Sequence, residues 1–211
     1  MNAPDPSLIS LISQAGERAA ETPVSALFMT RWSARAMTGE PIPDEILFAL
    51  FEAARFAPSS YNSQPWRFVY AKRGSEAFSR FVDFLIESNR SWASEASALV
   101  LITSKAAFTP AGGADEIVSG SASFDAGAAW ASLAFQAALL GWTTRAMGGF
   151  DKERARIGTG APDGLKLEAI IAIGKRGDAS RLPPDRQALE KPNARKAIAE
   201  IVFADVFPED C

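Results

Sequence analysis

Four short stretches of this 211-residue chain combine side-chain types and spacings suited to holding a small molecule. The first is Arg31-Trp32-Ser33-Ala34-Arg35. In an extended segment side chains alternate, so Arg31, Ser33 and Arg35 face one way, and two guanidinium forks beside a hydroxyl suit the oxygens of a phosphate. The same spacing also fits two surface arginines in a loop. The second stretch, "PSSYNSQPW", runs from Pro58 to Trp66. Ser59, Ser60, Asn62 and Gln64 supply hydroxyls and amides that could read the edge of a heterocycle, while Pro58 and Pro65 stiffen the backbone and lower its ordering cost. Ser and Asn equally favour a turn that bonds to itself. The third is Met147-Gly148-Gly149-Phe150-Asp151, where two glycines between a strand and a helix let backbone amides approach an electron-rich atom. An ordinary strand-to-helix turn capped by Asp151 is the other reading. The fourth is Arg195-Lys196, either an anion ligand or a solvated basic pair.

What is missing narrows the chemistry. The chain has no histidine, which removes Ser-His-Asp and Cys-His nucleophile systems and Cys/His zinc sites, so no metal site is expected. Neither GxGxxG nor GxxxxGK occurs, so neither a dinucleotide fold nor a P-loop is signalled. Redox chemistry would need a borrowed cofactor. A net charge of -3 favours neither nucleic acid nor an anionic membrane as partner, and no apolar run approaches eighteen residues. The start "MNAPDPSLIS" lacks the pattern of a signal peptide, and Cys211 is the only cysteine. A cytoplasmic protein acting on a small molecule is the expectation.

The elements that must position these stretches read as an α+β fold around a central sheet, mixed or antiparallel, flanked by helices. Residues 1–22 suggest a helical arm, and 23–211 a single domain. "PDEILFALFEAARF" (43–56) is a helix by its Pro start, its early Asp44 and Glu45 and the shared face of Ile46, Leu47, Leu50, Phe51 and Ala54. Further helices are expected over 24–30, 75–88 and 151–157, and strands over 67–73, 98–104, 142–147 and 166–174. Residues 105–122 read as a loop or lid. The segment 125–140 is apolar almost all round, so it is expected to be buried on every side, in a core or at a subunit interface. Residues 191–203 end in a strand-like run.

Taken together and in order, these stretches resemble the nitroreductase family of FMN-dependent oxidoreductases. The residues that carry the resemblance are "RWSARAMTGEPIP", "ARFAPSSYNSQPWRFVY", "SNRSWASEASALVLI", "FDAGAAWASLAFQAALLGWTTRAMGGFD" and "RKAIAEIVF", spanning about 31 to 203. The resemblance implies bound FMN, NAD(P)H as co-substrate and ping-pong electron transfer to nitroaromatics, quinones or similar small acceptors. It also implies a homodimer with shared active sites, the C-terminal strand extending to the partner. Arg31 and Ser33 match the FMN phosphate side, with Arg195 and Lys196. Arg35 matches the basic, catalytic position beside the flavin's N1 and O2. Ser59, Ser60 and Asn62 match a loop that lies against the partner's flavin, and Trp32, Pro58, Gln64 and Met147 flank matching positions. Gly148 and Gly149 match amides near N5 and O4, and Asn89 an asparagine near the pyrimidine edge. Trp32 and Met37 depart from the residues usual in the family, as does the short 105–122 segment. A specialised flavin enzyme of the same fold (a reductive dehalogenase or flavin-fragmenting type) and a non-catalytic FMN store are the alternatives.

Overall fold

The structure is a computed structural model that describes residues 18–209. Its centre is a four-stranded antiparallel sheet in the order β1-β2-β6-β5, built from β1 (Trp66–Lys72), β2 (Ala98–Lys105), β5 (Thr143–Met147) and β6 (Leu165–Gly174). The fold is therefore α+β, and its sheet is antiparallel throughout. A two-stranded hairpin, β3 (Ala107–Phe108) with β4 (Ile117–Val118), occupies the segment expected to be a loop.

Alternation along the central strands sorts the core into two layers. Leu99 and Leu101 of β2, with Ile170 and Ala172 of β6, face α3 (Glu76–Phe84) and α4 (Glu87–Ala93), where Phe78, Phe81, Phe84 and Trp92 pack. Val100, Ile102, Ile171 and Ile173 face the other way, onto Leu47 and Leu50 of α2 (Asp44–Arg55) and Ala126, Ala129 and Leu133 of α5 (Ala122–Leu139). Each fully buried Leu or Ile contributes about 1.5–3 kcal/mol of transfer free energy.

Three expectations need revision. The helix expected over 75–88 is two helices: Leu85 turns extended, forms an antiparallel bridge with Phe150, and Ile86 donates its N–H to Gly149 O at 3.3 Å. That pairing breaks the helix where no Pro or Gly marks a break. Helix α5 is not enclosed by the core of the single chain, where Phe124 is 81% exposed, so of the two alternatives for it only the subunit interface stands open. Residues 191–203 hold a 3-10 turn at Ile198–Glu200 and no strand, because a strand needs a neighbour to pair with and none of the described residues pairs with the segment. Of the expected N-terminal arm, residues 1–17 lie outside the described residues and 18–22 are not helical. Among the described residues no helix is long and apolar enough to cross a membrane.

Helix α6 (Lys152–Thr159) starts just beyond the Gly148-Gly149 turn, and Asp151 caps it by accepting from Arg154 N at 3.0 Å. It packs on α3 so closely that a Cβ at Gly158 would lie 2.5 Å from Phe84 Cζ. Helix propensity alone predicts that Gly158→Ala gains up to about 1 kcal/mol. We expect a loss of about 1–3 kcal/mol instead, from overpacking, measured by denaturant unfolding.

Candidate functional site

The segment after α1 (Ala26–Thr30) is extended, as its alternation predicts: Ala34 and Ala36 are buried, while Arg31, Ser33 and Arg35 keep partial exposure on the opposite side. Two charged side chains pin it, the buried Glu190 and the half-buried Arg145. Glu190 Oε1 accepts the backbone N–H of Arg35 at 2.7 Å and of Ala36 at 2.8 Å, and the Glu190 side chain is only 4% exposed. Its Oε2 lies 3.9 Å from Arg35 Nη1 and has no hydrogen-bond partner. From β5, Arg145 donates to Ser33 O and stacks over Trp92, 5.6 Å from the ring centroid. Burial, and next the repulsion of Arg35, hold the Arg145 guanidinium below its ordinary value; Glu190 opposes this and Arg186 adds to it.

A second group of cations sits at the other end of the segment. Arg18 donates to the carbonyls of Met29 (2.9 Å), Arg31 (3.0 Å) and Asn193 (2.9 Å), tying α1 to the C-terminal stretch. Burial and then the charge of Arg195 depress both Arg18 and Arg31, with Arg31 further depressing Arg18. Among the described residues none of Arg18, Arg31 and Arg195 has a carboxylate within ion-pair distance. A cleft of about 750 Å³ opens here, lined by Arg18, Phe28, Met29, Lys191, Arg195 and Lys196 among others. Arg31, Ser33, Arg35, Ser59 and Gly148 are not in its lining, and Glu21 is.

The Gly148-Gly149 turn is held by α4. Asn89 Nδ2 donates to Gly149 O at 3.0 Å, so this asparagine's amide group serves the turn itself. A Cβ on Gly149 would meet Ile86 Cδ1 at 2.5 Å and Asn89 Nδ2 at 3.0 Å, whereas one on Gly148 would meet nothing within 4 Å. The requirement at Gly149 is close packing; at Gly148 the backbone borders open space. Met147 is 3% exposed and belongs to the core, so its side chain faces the interior and only its backbone can reach a ligand.

The Pro58–Trp66 stretch is strained. Tyr61, Asn62 and Gln64 have φ of 54°, 52° and 46°, in the left-handed region that costs a non-glycine residue about 1–2 kcal/mol. Its own polar groups hold it: Gln64 N donates to Ser59 Oγ at 3.0 Å, Gln64 Nε2 to Asn62 O at 3.1 Å, and Arg67 Nη1 to Gln64 O at 2.9 Å. The anchor is Asp125, 4% exposed in the first turn of α5, which accepts from Ser60 N and Ser121 Oγ, both at 3.1 Å. Pro58 lies exposed at the start of the stretch, and Trp32, partly buried, lies between Arg31 and Ser33.

The structure thus brings Arg31 near Arg195, Ser33 and Arg35 near Arg145, and Asn89 against Gly149. Lys196 lines the cleft beside Arg195. No hydrogen bond or ion pair among the described residues links Ser59, Ser60, Asn62 or Gln64 to any of these groups. Sequence reasoning missed Arg18, Asp125, Arg145 and Glu190. An arginine inside an otherwise uncharged strand was a signal for Arg145, and a lone acid in an apolar helix for Asp125.

The matching family model, described as the nitroreductase family, covers residues 28–175. This chain belongs to the nitroreductase family. A crystal structure of an oxidoreductase containing FMN is 45% identical, covers 90% of this chain and 96% of its own, and superposes with a TM-score of 0.87. An uncharacterised 15.4 kDa protein of Mycolicibacterium smegmatis is 32% identical over 147 residues, 65% of this chain and 94% of that one. A protein of Rhodopseudomonas palustris (strain TIE-1), provisionally named NADH dehydrogenase/NAD(P)H nitroreductase, is 29% identical over 173 residues, 75% of this chain and 87% of that one.

Asp125→Ala should cost about 1–3 kcal/mol in unfolding, from two lost hydrogen bonds and a stranded Ser60 amide, and should speed hydrogen exchange across 59–64. Gly149→Ala should destabilise by about 1–3 kcal/mol. Gly148→Ala should leave the unfolding curve within about 0.5 kcal/mol of wild type, so a lost ligand affinity in that variant locates a ligand at the turn.

Proposed function

We propose that this nitroreductase-family chain binds FMN and uses it to pass electrons from NAD(P)H to nitroaromatics, quinones or similar small acceptors. The observation that carries the reading is the cation excess at Arg18, Arg31 and Arg195. Like charges held this close, two of them partly buried, repel one another, and a dianionic phosphate relieves that repulsion while accepting the fork-shaped donors. In this reading the guanidinium groups and Ser33, with Lys196, take the phosphate, Arg35 the electron-rich pyrimidine side of the ring, and the backbone at Gly148, which borders open space, its edge.

Bound FMN would supply the redox chemistry, accepting a hydride equivalent from the nicotinamide and giving two electrons to the acceptor. The chain's part is to bind, orient and stabilise charge. A fixed cation at Arg35 favours the negative charge that reduction places on the ring, and preorganised electrostatics of that kind are often the largest catalytic term. Arginine stays protonated, so Arg35 acts through its charge and its donors, and protons come from water or substrate.

We further infer a homodimer whose sites draw on both chains, with Ser59, Ser60, Asn62 and Gln64 offered to the partner's flavin. Support comes from the lack of contact between that loop and the Arg35 end. It comes also from apolar surface no single chain covers: Phe124 on α5 and Ile201, Val202, Val206 and Phe207 in the C-terminal stretch are all at least 60% exposed.

The deciding experiment is the visible spectrum of purified protein, followed anaerobically as NADH or NADPH is added. Flavin bands that bleach rapidly and return with a nitroaromatic are the expected result. Bands that persist would shift the reading to a flavin store, and a protein that cannot be reconstituted with FMN would overturn it. In the FMN-saturated protein, Arg35→Ala should slow reduction at least about tenfold while weakening FMN binding less, because the charge it meets develops during reduction.

A further inference from the structure

The charges around Arg35 are lopsided, and one residue sets the balance. Arg35 lies against a buried carboxylate, Glu190, whose Oε1 is committed to two backbone amides and whose Oε2 is 3.9 Å from Arg35 Nη1 without a hydrogen bond, while Arg145, held on Ser33 O, and Arg186, paired with Asp185, add their charges nearby. Holding a carboxylate at 4% exposure is costly unless nearby cations offset the lost hydration. If holding the backbone were its only use, a glutamine oxygen would do as well at lower desolvation cost. The charge itself is the feature that needs a reason.

We propose that Glu190 is a positioning and tuning residue: it fixes the Arg35–Ala36 backbone and cancels part of the positive potential there, setting how strongly the site prefers reduced over oxidised flavin. The proposal rests on the reading that Arg35 faces the ring of bound FMN. Without the charge of Glu190, Arg35 and Arg145 would face the ring with no buried carboxylate to offset them, and would bind the anionic reduced form too tightly for it to give up its electrons readily. With Glu190 in place, enough field remains to favour reduction and still release the electrons.

The test measures the affinities of reconstituted protein for oxidised and for reduced FMN, or the midpoint potential against a reference dye, in wild type, Glu190→Gln, Arg186→Gln and the double variant. Glu190→Gln keeps an oxygen for the two amides and removes the charge. It should raise the reduced-to-oxidised affinity ratio about tenfold, which is about 30 mV upward for a two-electron couple. Arg186→Gln should move the ratio the opposite way, and the double variant should return toward wild type. A structural role alone would lower both affinities together and show no rescue by the second substitution. An unchanged ratio in Glu190→Gln, with FMN still bound, overturns the proposal. If that variant does not fold, an unchanged ratio in Arg186→Gln overturns it equally. Failure of the wild type to bind FMN at all would overturn the reading beneath it, and the two failures are thus told apart.

Discussion

Strands β2 and β6 are covered on both faces, and that constraint decides where polar chemistry is permitted. From Leu99 to Ile102 and from Ile170 to Ile173 every residue is 3% exposed or less, and successive residues feed opposite core layers. A polar group in that stretch would need an internal partner or cost several kcal/mol. The first polar residues of β2, Thr103 and Ser104, appear only past the register shift at Ile102/Thr103, and both are bonded, to Arg67 O and to Glu168. The candidate site is therefore made of loops and of Arg145 on β5, an edge strand, all supported by a centre that cannot move to accommodate them.

Two arginines of the site are held by backbone carbonyls rather than by carboxylates. Arg18 and Arg145 donate to backbone carbonyls of Met29, Arg31, Asn193 and Ser33, which fix the guanidinium groups without neutralising them. Two exposed arginines do the reverse: Arg55 and Arg80 sit opposite Glu52 and Glu76 on their own helices. Such exposed pairs contribute little to stability. Charge left uncompensated by carbonyl partners costs stability when no anion is present, and that cost is recovered when an anion binds. Stability and affinity are linked through the same side chains.

Much of this was legible in the chain alone, and the failures share a cause. The face of α2 announces itself through periodicity, and β2, β6 and the long helix α5 through unbroken apolar runs, because what they pack against is uniformly apolar. The four polar stretches were visible through residue type. The break between α3 and α4 was not, because its cause is a bridge to Phe150 rather than anything local. Glu190 acts on a backbone 155 residues away, and nothing in "QALEKPN" distinguishes it from a solvated acid. Even where a stretch was rightly singled out, its internal division of labour was hidden. Asn89 spends its amide group on Gly149, and the two glycines prove different in kind, one required by packing and one bordering open space.

The strained Ser59–Gln64 stretch shows why such hidden supports matter. Three left-handed residues in four positions would relax in an isolated peptide, at a gain of a few kcal/mol. Here the turn is closed by Ser59 Oγ and clamped by Arg67, and its Ser60 amide is fixed to a carboxylate on a helix buried against the sheet. The strain is thus borne by the core, through Asp125, rather than by the loop. The consequence is a stretch whose Tyr61 and Asn62 stand exposed but whose backbone has little freedom left to lose. Binding against such a surface forfeits little conformational entropy, and that is the physical advantage of holding so many hydrogen-bonding groups stiffly in one place.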